Sequence, residues 1–146
     1  MNLVVVGAGS LSTPHLFAAP ELTACAKSLR TTLIGRHAEK TAAIATAIRA
    51  LNPAFELEIA NVDGDLSSTF AQADLIIVQA RYGGYTARRH DETFPLEFGI
   101  PGDEGLGPGG LANAWRSWPQ LSQLLRRVVD AQPDVNILLL TAPLGI

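Results

Sequence analysis

The 146 residues suffice for one folded domain, and a composition that is 47% hydrophobic and 17% charged is typical of a globular chain rather than a disordered one. The formal charge of −3, with no clustered basic residues, argues against a general nucleic-acid or anionic-membrane surface. The single cysteine, Cys25, excludes an internal disulfide, and no Cys/His spacing resembles a zinc site. The longest aliphatic run, Ile137 to Leu140, is too short to span a bilayer, and no Lys or Arg precedes the first apolar run as in a secretory signal. We therefore expect a cytoplasmic protein.

The chain opens with an apolar run, Leu3 to Val6, whose β-branched residues without alternation predict a buried parallel strand. Gly7 permits a sharp turn, and Gly9 has no Cβ to keep a pyrophosphate away from the backbone. The amides of Ser10 and its neighbours would then begin a helix whose N-terminus favours an anion. A third glycine of the dinucleotide fingerprint is replaced by Ser12, so a tight turn without a ligand is the alternative. The predicted cofactor-binding residues of this turn are Gly7, Gly9, Ser10, Leu11 and Thr13.

The second predicted strand, Thr31 to Ile34, ends without the acidic residue that binds the ribose hydroxyls of NAD in many dinucleotide folds. Gly35 and Arg36 occupy that place. A guanidinium there would suit the additional phosphate of NADP, and the alternative is a solvated arginine at a strand end. Before this strand, Pro20 predicts a kink or break in the first helix.

The remaining periodicity predicts a mainly parallel, doubly wound α/β sheet of three layers, Rossmann-like, with a GxGS phosphate turn after its first strand.

Asp63 and Asp65 fit a turn and a helix cap better than a metal loop, because no further calcium ligands follow. Gln79 and Arg81 follow a strong strand and are expected to face the cofactor. The predicted helices are Ala38 to Leu51, a short one through Phe70 to Gln72, and Leu111 to Ala131; the strands are Phe55 to Ala60, Ala73 to Ala80, and Asp134 to Thr141.

The segment from Arg81 to Gly110 is unusual, because six glycines fall between Gly99 and Gly110 with charged residues among them. A hydrophobic core cannot be built from such a sequence, so the segment is expected to be functional or disordered. In the helix that follows, Trp115 and Trp118 could lie in the core or at an interface, and we expect at least one of them in the core.

Several of these motifs together resemble family 4 glycoside hydrolases, the NAD-dependent 6-phospho-glucosidases, α-glucosidases and α-galactosidases. The resemblance extends from Met1 to the last residue in the same order, and its most specific part lies between Arg81 and Gly110. The motifs are Gly7-Ala8-Gly9-Ser10 with Thr13-Pro14, Arg81 with Gly83, Arg88 with Asp91-Glu92, Pro95-Leu96 with Phe98-Gly99, and Gly102-Asp103-Glu104 with Gly107-Pro108-Gly109-Gly110.

The resemblance implies a glycosidase that does not use the usual pair of carboxylates. NAD would oxidise the sugar at C3, a base would remove the acidified C2 proton, the aglycone would leave from C1, and water addition and reduction would complete the cycle. A divalent metal, typically manganese, would polarise the sugar oxygens. The implied ligand is a small sugar or sugar phosphate, with no nucleic acid or membrane, and the protein could be a homo-oligomer.

Carried over by position, the resemblance places Gly7, Gly9, Ser10 and Thr13 in the cofactor turn and Arg81 near the nicotinamide. Arg88 and Glu104 match the sugar-contacting arginine and glutamate of the family. The alternatives are a surface ion pair of Arg88 with Asp91 or Glu92, and a solvated loop carboxylate for Glu104.

Two departures from the family bear on activity. Ala142 stands where the family has an asparagine that contacts substrate and cofactor. The metal-binding cysteine and histidine and the catalytic tyrosine of the family lie beyond Ile146, so we expect residues 1–146 to be an NAD(P)-binding domain without catalytic or metal-ligating residues of its own. Two other functions stay open: an NAD(P)- or phosphosugar-binding module without turnover, and an oxidoreductase of the malate or lactate dehydrogenase type, in which Arg88 would bind a carboxylate.

Overall fold

The computed structural model describes residues 1–141, and within them it contains one five-stranded sheet in the order β3-β2-β1-β4-β5. The pairs β1/β2, β2/β3 and β1/β4 are parallel. This order, with β1 at the centre, is that of a doubly wound dinucleotide-binding sheet, which confirms the predicted fold class. The strands are β1 (Asn2–Val6), β2 (Arg30–Gly35), β3 (Glu56–Asn61), β4 (Leu75–Val78) and β5 (Asn136–Leu139).

Helices connect and flank these strands, and their positions follow the predicted periodicity closely. The predicted break in the first helix is confirmed, because Pro20 begins a separate helix, where its missing amide costs no hydrogen bond. The helices are α1 (Thr13–Phe17), α2 (Pro20–Ala24), α3 (Ala38–Leu51), α4 (Ser67–Ala71), α5 (Gly84–Thr93) and α6 (Gly107–Ala131), with short 3-10 helices at Ala26–Ser28 and Phe94–Phe98. None of the helices within residues 1–141 combines the length and apolar character needed to cross a membrane.

Strand β1 is the centre of the core, since Leu3, Val4, Val5 and Val6 are all buried. Burial on both faces explains why the strand is an unbroken apolar run rather than an alternating one. Leu3 and Val5 belong to a cluster with buried residues of α3. Phe55, just before β3, and Leu57 on β3 are buried, but Ile59 is exposed on this edge strand of the sheet.

The carboxyl ends of three parallel strands lie at one level of the sheet. Val6 of β1 pairs with Ile34 of β2 and with Val78 of β4. The residues that follow these strands therefore emerge at the same edge, where open α/β sheets bind their ligands.

The chain divides into two compact units. The first consists of residues 1–79 and 128–138 and contains β1 to β4, most of β5 and the glycine turn. The second consists of residues 80–127 with the chain from residue 139 onward, and it contains α5 and most of α6.

The glycine-rich segment is more ordered than its composition suggested, because residues 84–93 form α5 and residues 94–98 a 3-10 helix. The glycines allow backbone segments to pack directly on one another. A Cβ on Gly102 would lie 1.7 Å from the carbonyl oxygen of Glu92, and one on Gly109 would lie 2.2 Å from that of Asp91. Of the two expectations for this segment, disorder does not hold for residues 84–98, and direct backbone contact takes the place of a hydrophobic core here.

The prediction that at least one tryptophan lies in the core was also wrong. Trp115 and Trp118 are 83% and 50% exposed. The buried face of α6 instead carries residues at the spacing of one helical stripe, namely Asn113, Ser117, Leu121, Leu124 and Val128. Both tryptophans lie outside that stripe.

Candidate functional site

The turn after β1 is attached to the neighbouring strand by two backbone hydrogen bonds. The amides of Gly7 and Ala8 both donate to the carbonyl oxygen of Ile34, at 2.9 and 3.0 Å. Gly7 has φ +85°, a conformation that a side chain would strain, so glycine is required there by the backbone itself. The turn thus has a defined shape before any ligand binds.

Gly9 leaves open space beside the turn. A Cβ built at this position would lie 3.7 Å from Cβ of Lys40 and 3.8 Å from Oγ1 of Thr41, which are ordinary van der Waals distances. The packing of the protein therefore does not require glycine at residue 9. The space that the missing side chain leaves is available to a bound group.

The amides of this turn differ from the expected arrangement. The Ser10 amide donates to the carbonyl of Gly7 at 3.2 Å, and the Ser12 amide donates to Oγ of Ser10 at 3.3 Å. Within residues 1–141, the amides of Gly9 and Leu11 donate to no acceptor. The Ser10 amide is therefore already paired within the turn, and the unpaired N–H donors are those of its neighbours Gly9 and Leu11.

The helix after the turn contributes less than expected. Helix α1 begins at Thr13 and has five residues, so few peptide dipoles are aligned along it. The fit of the turn to a pyrophosphate depends on the open space at Gly9 and the two free amides, and those features do suit an anion.

Thr13 and Gln79 brace the turn against β4. Thr13 is fully buried; its Oγ1 donates to the carbonyl of Ala8 at 3.0 Å and accepts from Nε2 of Gln79 at 2.6 Å. The Gln79 amide also donates to the carbonyl of Val6 at 2.9 Å. The structure thus brings these two predicted cofactor residues together, and it gives both a role in holding the turn in place.

Arg36 is exposed directly after β2 and before α3. The preceding Gly35 is required by packing, because a Cβ there would lie 2.2 Å from Oγ1 of Thr41. Helix α3 can therefore approach the end of β2 closely, and Arg36 lies in the connection between them.

In the second unit, three of the predicted residues form one charged cluster. Glu104 is ion-paired through Oε2 to Nη1 of Arg81, and its Oε1 lies 3.4 Å from Nη1 of Arg88. Arg88 also donates from Nε to Oε1 of Glu92 at 2.8 Å. The hydrogen bond with Glu92, followed by the charge of Glu104, raises the pKa of Arg88. The Nη2 atoms of Arg81 and Arg88 make no hydrogen bond within the described residues.

A buried ion pair beneath this cluster was not anticipated from the sequence. Asp91 is fully buried, and both of its carboxylate oxygens accept from Arg116, Oδ1 at 3.1 Å from Nη1 and Oδ2 from Nη2. The hydrogen bond with Asp91 raises the pKa of Arg116. Arg116 also donates from Nε to the carbonyl of Tyr82 at 3.2 Å, beside the positive-φ residue Gly83.

Asn113 links this ion pair to the loop that carries Glu104. Its Oδ1 accepts from Nη2 of Arg116 at 3.1 Å, and its Nδ2 donates to the carbonyl oxygen of Glu104 at 3.0 Å. Asp103 closes the same loop by accepting from the amides of Gly105 and Leu106. The pair of Asp91 and Arg116 therefore positions the backbone on both sides of the charged cluster. Asp91 belongs to one of the motifs that carry the family resemblance, but no spacing in the sequence indicated that it pairs with Arg116.

No group of three or more His, Cys, Asp or Glu side chains in residues 1–141 is arranged to hold a metal ion. Asp65 accepts from the amide of Ser67, the first residue of α4, at 2.9 Å, although the N-cap residue itself is Leu66. The described residues thus do not fit a divalent metal. Ala142 lies outside the described residues.

The strand order and the glycine turn define a Rossmann-type domain of the dinucleotide-binding class. Comparison with known families is more specific. The model of family 4 glycosyl hydrolases matches residues 2–146, so the chain belongs to that family, which confirms the resemblance.

Among curated relatives, the maltose-6'-phosphate glucosidase of Bacillus subtilis is 33% identical over 82 residues, which are 56% of this chain and 18% of the relative. The 6-phospho-beta-glucosidase of Escherichia coli is 32% identical over 81 residues, with the same shares of the two chains. The matched regions therefore cover less than a fifth of either relative.

Solved structures resemble the chain over nearly its whole length. The 6-phospho-beta-glucosidase of Thermotoga maritima, with manganese, NAD+ and glucose-6-phosphate, has a TM-score of 0.84 and 26% identity, and the match covers 98% of this chain and 35% of that one. A 6-phospho-alpha-glucosidase from gut microorganisms, in complex with NAD and Mn2+, has a TM-score of 0.80 and 26% identity, with 97% and 33% covered. This chain spans about a third of the length of these enzymes.

Proposed function

We propose that this chain is the N-terminal, NAD-binding part of a family 4 glycosidase that hydrolyses 6-phosphoglycosides. The observation that carries the proposal is the cluster in which Glu104 pairs with Arg81 and Arg88, within a chain whose solved relatives bind NAD and glucose-6-phosphate. Family membership leaves a dehydrogenase of the malate or lactate type without support. A cytoplasmic location agrees with a phosphorylated substrate, whose charge prevents passive passage through a membrane.

The glycine turn would hold the pyrophosphate of NAD. Gly9 provides the space, and the amides of Gly9 and Leu11 provide free donors. When bound, NAD supplies the transient oxidation of the sugar at C3, on which elimination of the aglycone and addition of water depend. Thr13 and Gln79 keep the turn in position, and Arg36 would contact the ribose side of the cofactor.

The charged cluster would bind the sugar phosphate. Glu104 holds Arg81 and Arg88 in place, and their free Nη2 atoms suit phosphate oxygens or sugar hydroxyls. The Glu104 carboxylate can also accept hydrogen bonds from adjacent hydroxyls. Binding and orientation are the roles that this chain's described residues can perform, and the metal ligands and catalytic base would be supplied by the remaining part of a full-length family 4 enzyme.

The proposal is tested by titrating the purified chain with NAD, NADH and NADP and measuring the thermal midpoint. A ligand at 100 times its Kd stabilises the folded form by about 2.7 kcal/mol, which for a chain of this size is a shift of roughly 5 to 10 °C. Gly9→Ala should reduce the shift and leave the unliganded midpoint nearly unchanged, because a Cβ there makes only ordinary van der Waals contacts within the protein. Gly64→Ala, in the turn after β3, is the matched control and should retain the shift. An unshifted wild-type midpoint with all three nucleotides at millimolar concentration would contradict cofactor binding by this chain.

A second titration separates binding of the sugar from binding of the cofactor. Glucose-6-phosphate should stabilise the wild-type chain more than glucose does, and Arg88→Met should remove that difference. Arg30→Met is the control, since Arg30 is an exposed arginine whose ion pair within residues 1–141 is with Glu56, at 3.5 Å. If the chain binds nucleotide but no sugar phosphate, the proposed role of the charged cluster fails while the cofactor role survives.

A further inference from the structure

Two carboxylates bind different nitrogens of the Arg88 guanidinium group. Nε donates to Oε1 of Glu92 at 2.8 Å, and Nη1 lies 3.4 Å from Oε1 of Glu104. Within the part of the chain that the structure describes, Nη2 is left without a hydrogen bond. The proposed function gives Arg88 and Glu104 contacts with the sugar phosphate, but it gives no role to Glu92.

The stability of helix α5 does not explain the position of Glu92. Arg88 and Glu92 are four residues apart with the cation first, which is the less favourable order for such a pair on a helix. Glu92 is also the penultimate residue of α5, where an acidic side chain meets the negative end of the helix dipole. Both side chains are 39% exposed, and an exposed ion pair adds little to stability. The reason for an acidic residue here therefore lies elsewhere.

The backbone that carries Glu92 is firmly held. A Cβ on Gly102 would lie 1.7 Å from the carbonyl oxygen of Glu92, so the end of α5 packs backbone against backbone on the loop that leads to Glu104. The neighbouring Asp91 is fully buried, and Asn113 donates to the carbonyl oxygen of Glu104 at 3.0 Å. The two carboxylates that bind Arg88 thus extend from segments that are fixed against each other.

The charged cluster has no net charge once Glu92 is counted with it. Its two cations are Arg81 and Arg88, and its two anions are Glu92 and Glu104. A phosphate therefore gains little from net attraction and depends on directed hydrogen bonds from the guanidinium groups. Such bonds require a long, flexible side chain to be held in one orientation, because ordering it at the moment of binding weakens affinity.

We propose that Glu92 is a positioning residue for phosphate recognition, whose hydrogen bond to Nε orients the Arg88 guanidinium so that Nη2 is left for the phosphate of the sugar phosphate. The proposal rests on the sugar-phosphate role of Arg88 proposed above. It differs from the interpretation of this pair as a surface ion pair, because the contribution of Glu92 is the orientation of Arg88 and not its charge.

Charge and orientation predict opposite effects of removing the Glu92 carboxylate. Loss of a negative charge beside a phosphate site strengthens phosphate binding, whereas loss of the orientation of Arg88 weakens it. Glu92→Gln and Glu92→Met separate the two effects. Both substitutions remove the charge and nearly keep the length of the side chain, but only glutamine retains a carbonyl oxygen that accepts from Nε.

Isothermal titration of the intact chain with glucose-6-phosphate measures these effects. Glu92→Gln should bind as tightly as the wild type or more tightly, and Glu92→Met should bind about fivefold more weakly than Glu92→Gln. The dissociation constant of NAD should stay within about twofold of the wild type in both variants, because Glu92 is assigned no contact with the cofactor.

Glu97→Gln and Glu97→Met are the matched controls, since Glu97 is an exposed carboxylate on the 3-10 helix that follows α5. Their dissociation constants for glucose-6-phosphate should agree within about twofold. Equal affinities of Glu92→Gln and Glu92→Met, whatever their value, overturn the proposal. A parallel loss of NAD binding in Glu92→Met also overturns it, because the substitution would then act on the fold rather than on Arg88.

Arg88→Met separates failure of this proposal from failure of the proposed function. If Arg88→Met loses glucose-6-phosphate binding while Glu92→Gln and Glu92→Met bind equally, the sugar-phosphate role of Arg88 stands and the role of Glu92 is overturned. If the wild type binds no glucose-6-phosphate, or Arg88→Met binds it as well as the wild type does, both are overturned.

A measurement without ligand tests the hydrogen bond itself. The nuclear magnetic resonance signal of the Arg88 Nε–H group is assigned by its disappearance in Arg88→Met. This proton should exchange slowly with water in the wild type and in Glu92→Gln, and clearly faster in Glu92→Met, where its acceptor is lost. Exchange at the same rate in all three chains overturns the proposal.

Discussion

The carboxylate of Asp91 is fully buried, and the guanidinium of Arg116 balances its negative charge. Arg116 satisfies both oxygens and also holds the carbonyl of Tyr82. A buried charge without its partner is costly, so this pair constrains the choice of residue at both positions.

Asp91→Asn should lower the free energy of unfolding by about 3 kcal/mol, at the lower end for a buried pair because the Arg116 side chain retains 27% exposure. Urea denaturation measures the change. Glu56→Gln removes an exposed pair with Arg30 and should cost less than about 1 kcal/mol. Equal effects of the two substitutions would show that the Asp91 pair is not desolvated as described.

The pKa of Arg116 is raised in the folded chain, so the stability linked to its charge is complete at any pH below its unfolded-state pKa and is lost only as pH rises through the higher folded-state pKa. That window lies far above neutrality. Arg116→Met should therefore destabilise the chain equally at pH 6 and pH 9, as measured by urea denaturation at both. A loss that is clearly smaller at pH 9 would contradict this.

The sequence leaves two interpretations of Arg36 open: a contact with the additional phosphate of NADP, or a solvated arginine at a strand end. If its guanidinium meets the additional phosphate of NADP, Arg36→Ala should weaken NADP by about tenfold and NAD by much less, since an exposed charge-assisted contact contributes about 1.4 kcal/mol. Isothermal titration measures both constants, with Arg49→Ala as a control. Equal changes in the dissociation constants of NAD and NADP would indicate that Arg36 does not bind the additional phosphate and is a solvated arginine.

At the level of elements, the glycines of the segment between α5 and α6 replace side-chain packing with backbone contact. A methyl group at Gly102 would overlap the carbonyl of Glu92, whereas one at Gly105 would lie 3.3 Å from Oδ1 of Asp103, a contact that a shift of a few tenths of an ångström relieves. The close approach connects the end of α5 to the loop that carries Glu104.

Gly102→Ala should therefore destabilise the chain by about 2 to 3 kcal/mol or more, because backbone cannot yield as a flexible side chain can. Gly105→Ala, in the same loop, should cost less, about 1 kcal/mol, since its 3.3 Å contact needs only a small shift, compared with the 1.7 Å overlap at Gly102. Urea denaturation measures the loss of unfolding free energy in both variants. A much larger loss for Gly102→Ala would show that close backbone contact is the reason for glycine at that position. A similar loss for both would favour composition.

At the level of the whole molecule, the predicted ligand contacts fall in different compact units. The glycine turn and Arg36 belong to the first unit, and the predicted sugar contacts Arg88 and Glu104 belong to the second, as does Arg81, which the resemblance places near the nicotinamide. Apart from the amides next to Arg81, each ligand should therefore protect its own set of backbone amides.

Hydrogen exchange of the intact chain tests this division. NAD should slow exchange in residues 7–13 and 35–37, and glucose-6-phosphate should slow exchange in residues 81–92 and 103–106. The opposite ligand serves as the control for each region. If NAD and glucose-6-phosphate both slowed exchange in the same unit only, the assignment of separate contacts would be contradicted.

Local sequence determined the strands, most helices and the glycine turn, because burial on both faces gives β1 its unbroken apolar run and Pro20 cannot continue a helix. The motifs between Arg81 and Gly110 were sufficient to indicate the family. The mainly parallel, doubly wound sheet also followed, since parallel strands joined by helices have few allowed arrangements.

Tertiary structure alone decided which partners these residues have. That Glu104 pairs with two arginines, and Asp91 with Arg116 across 25 positions of sequence, depends on distances between segments that no local pattern encodes. The same holds for the exposure of Trp115 and Trp118, because a helix with two apolar sides does not itself specify which side is buried. Side-chain periodicity is a property of neighbouring residues, whereas burial and ion pairing depend on what the rest of the chain brings against them.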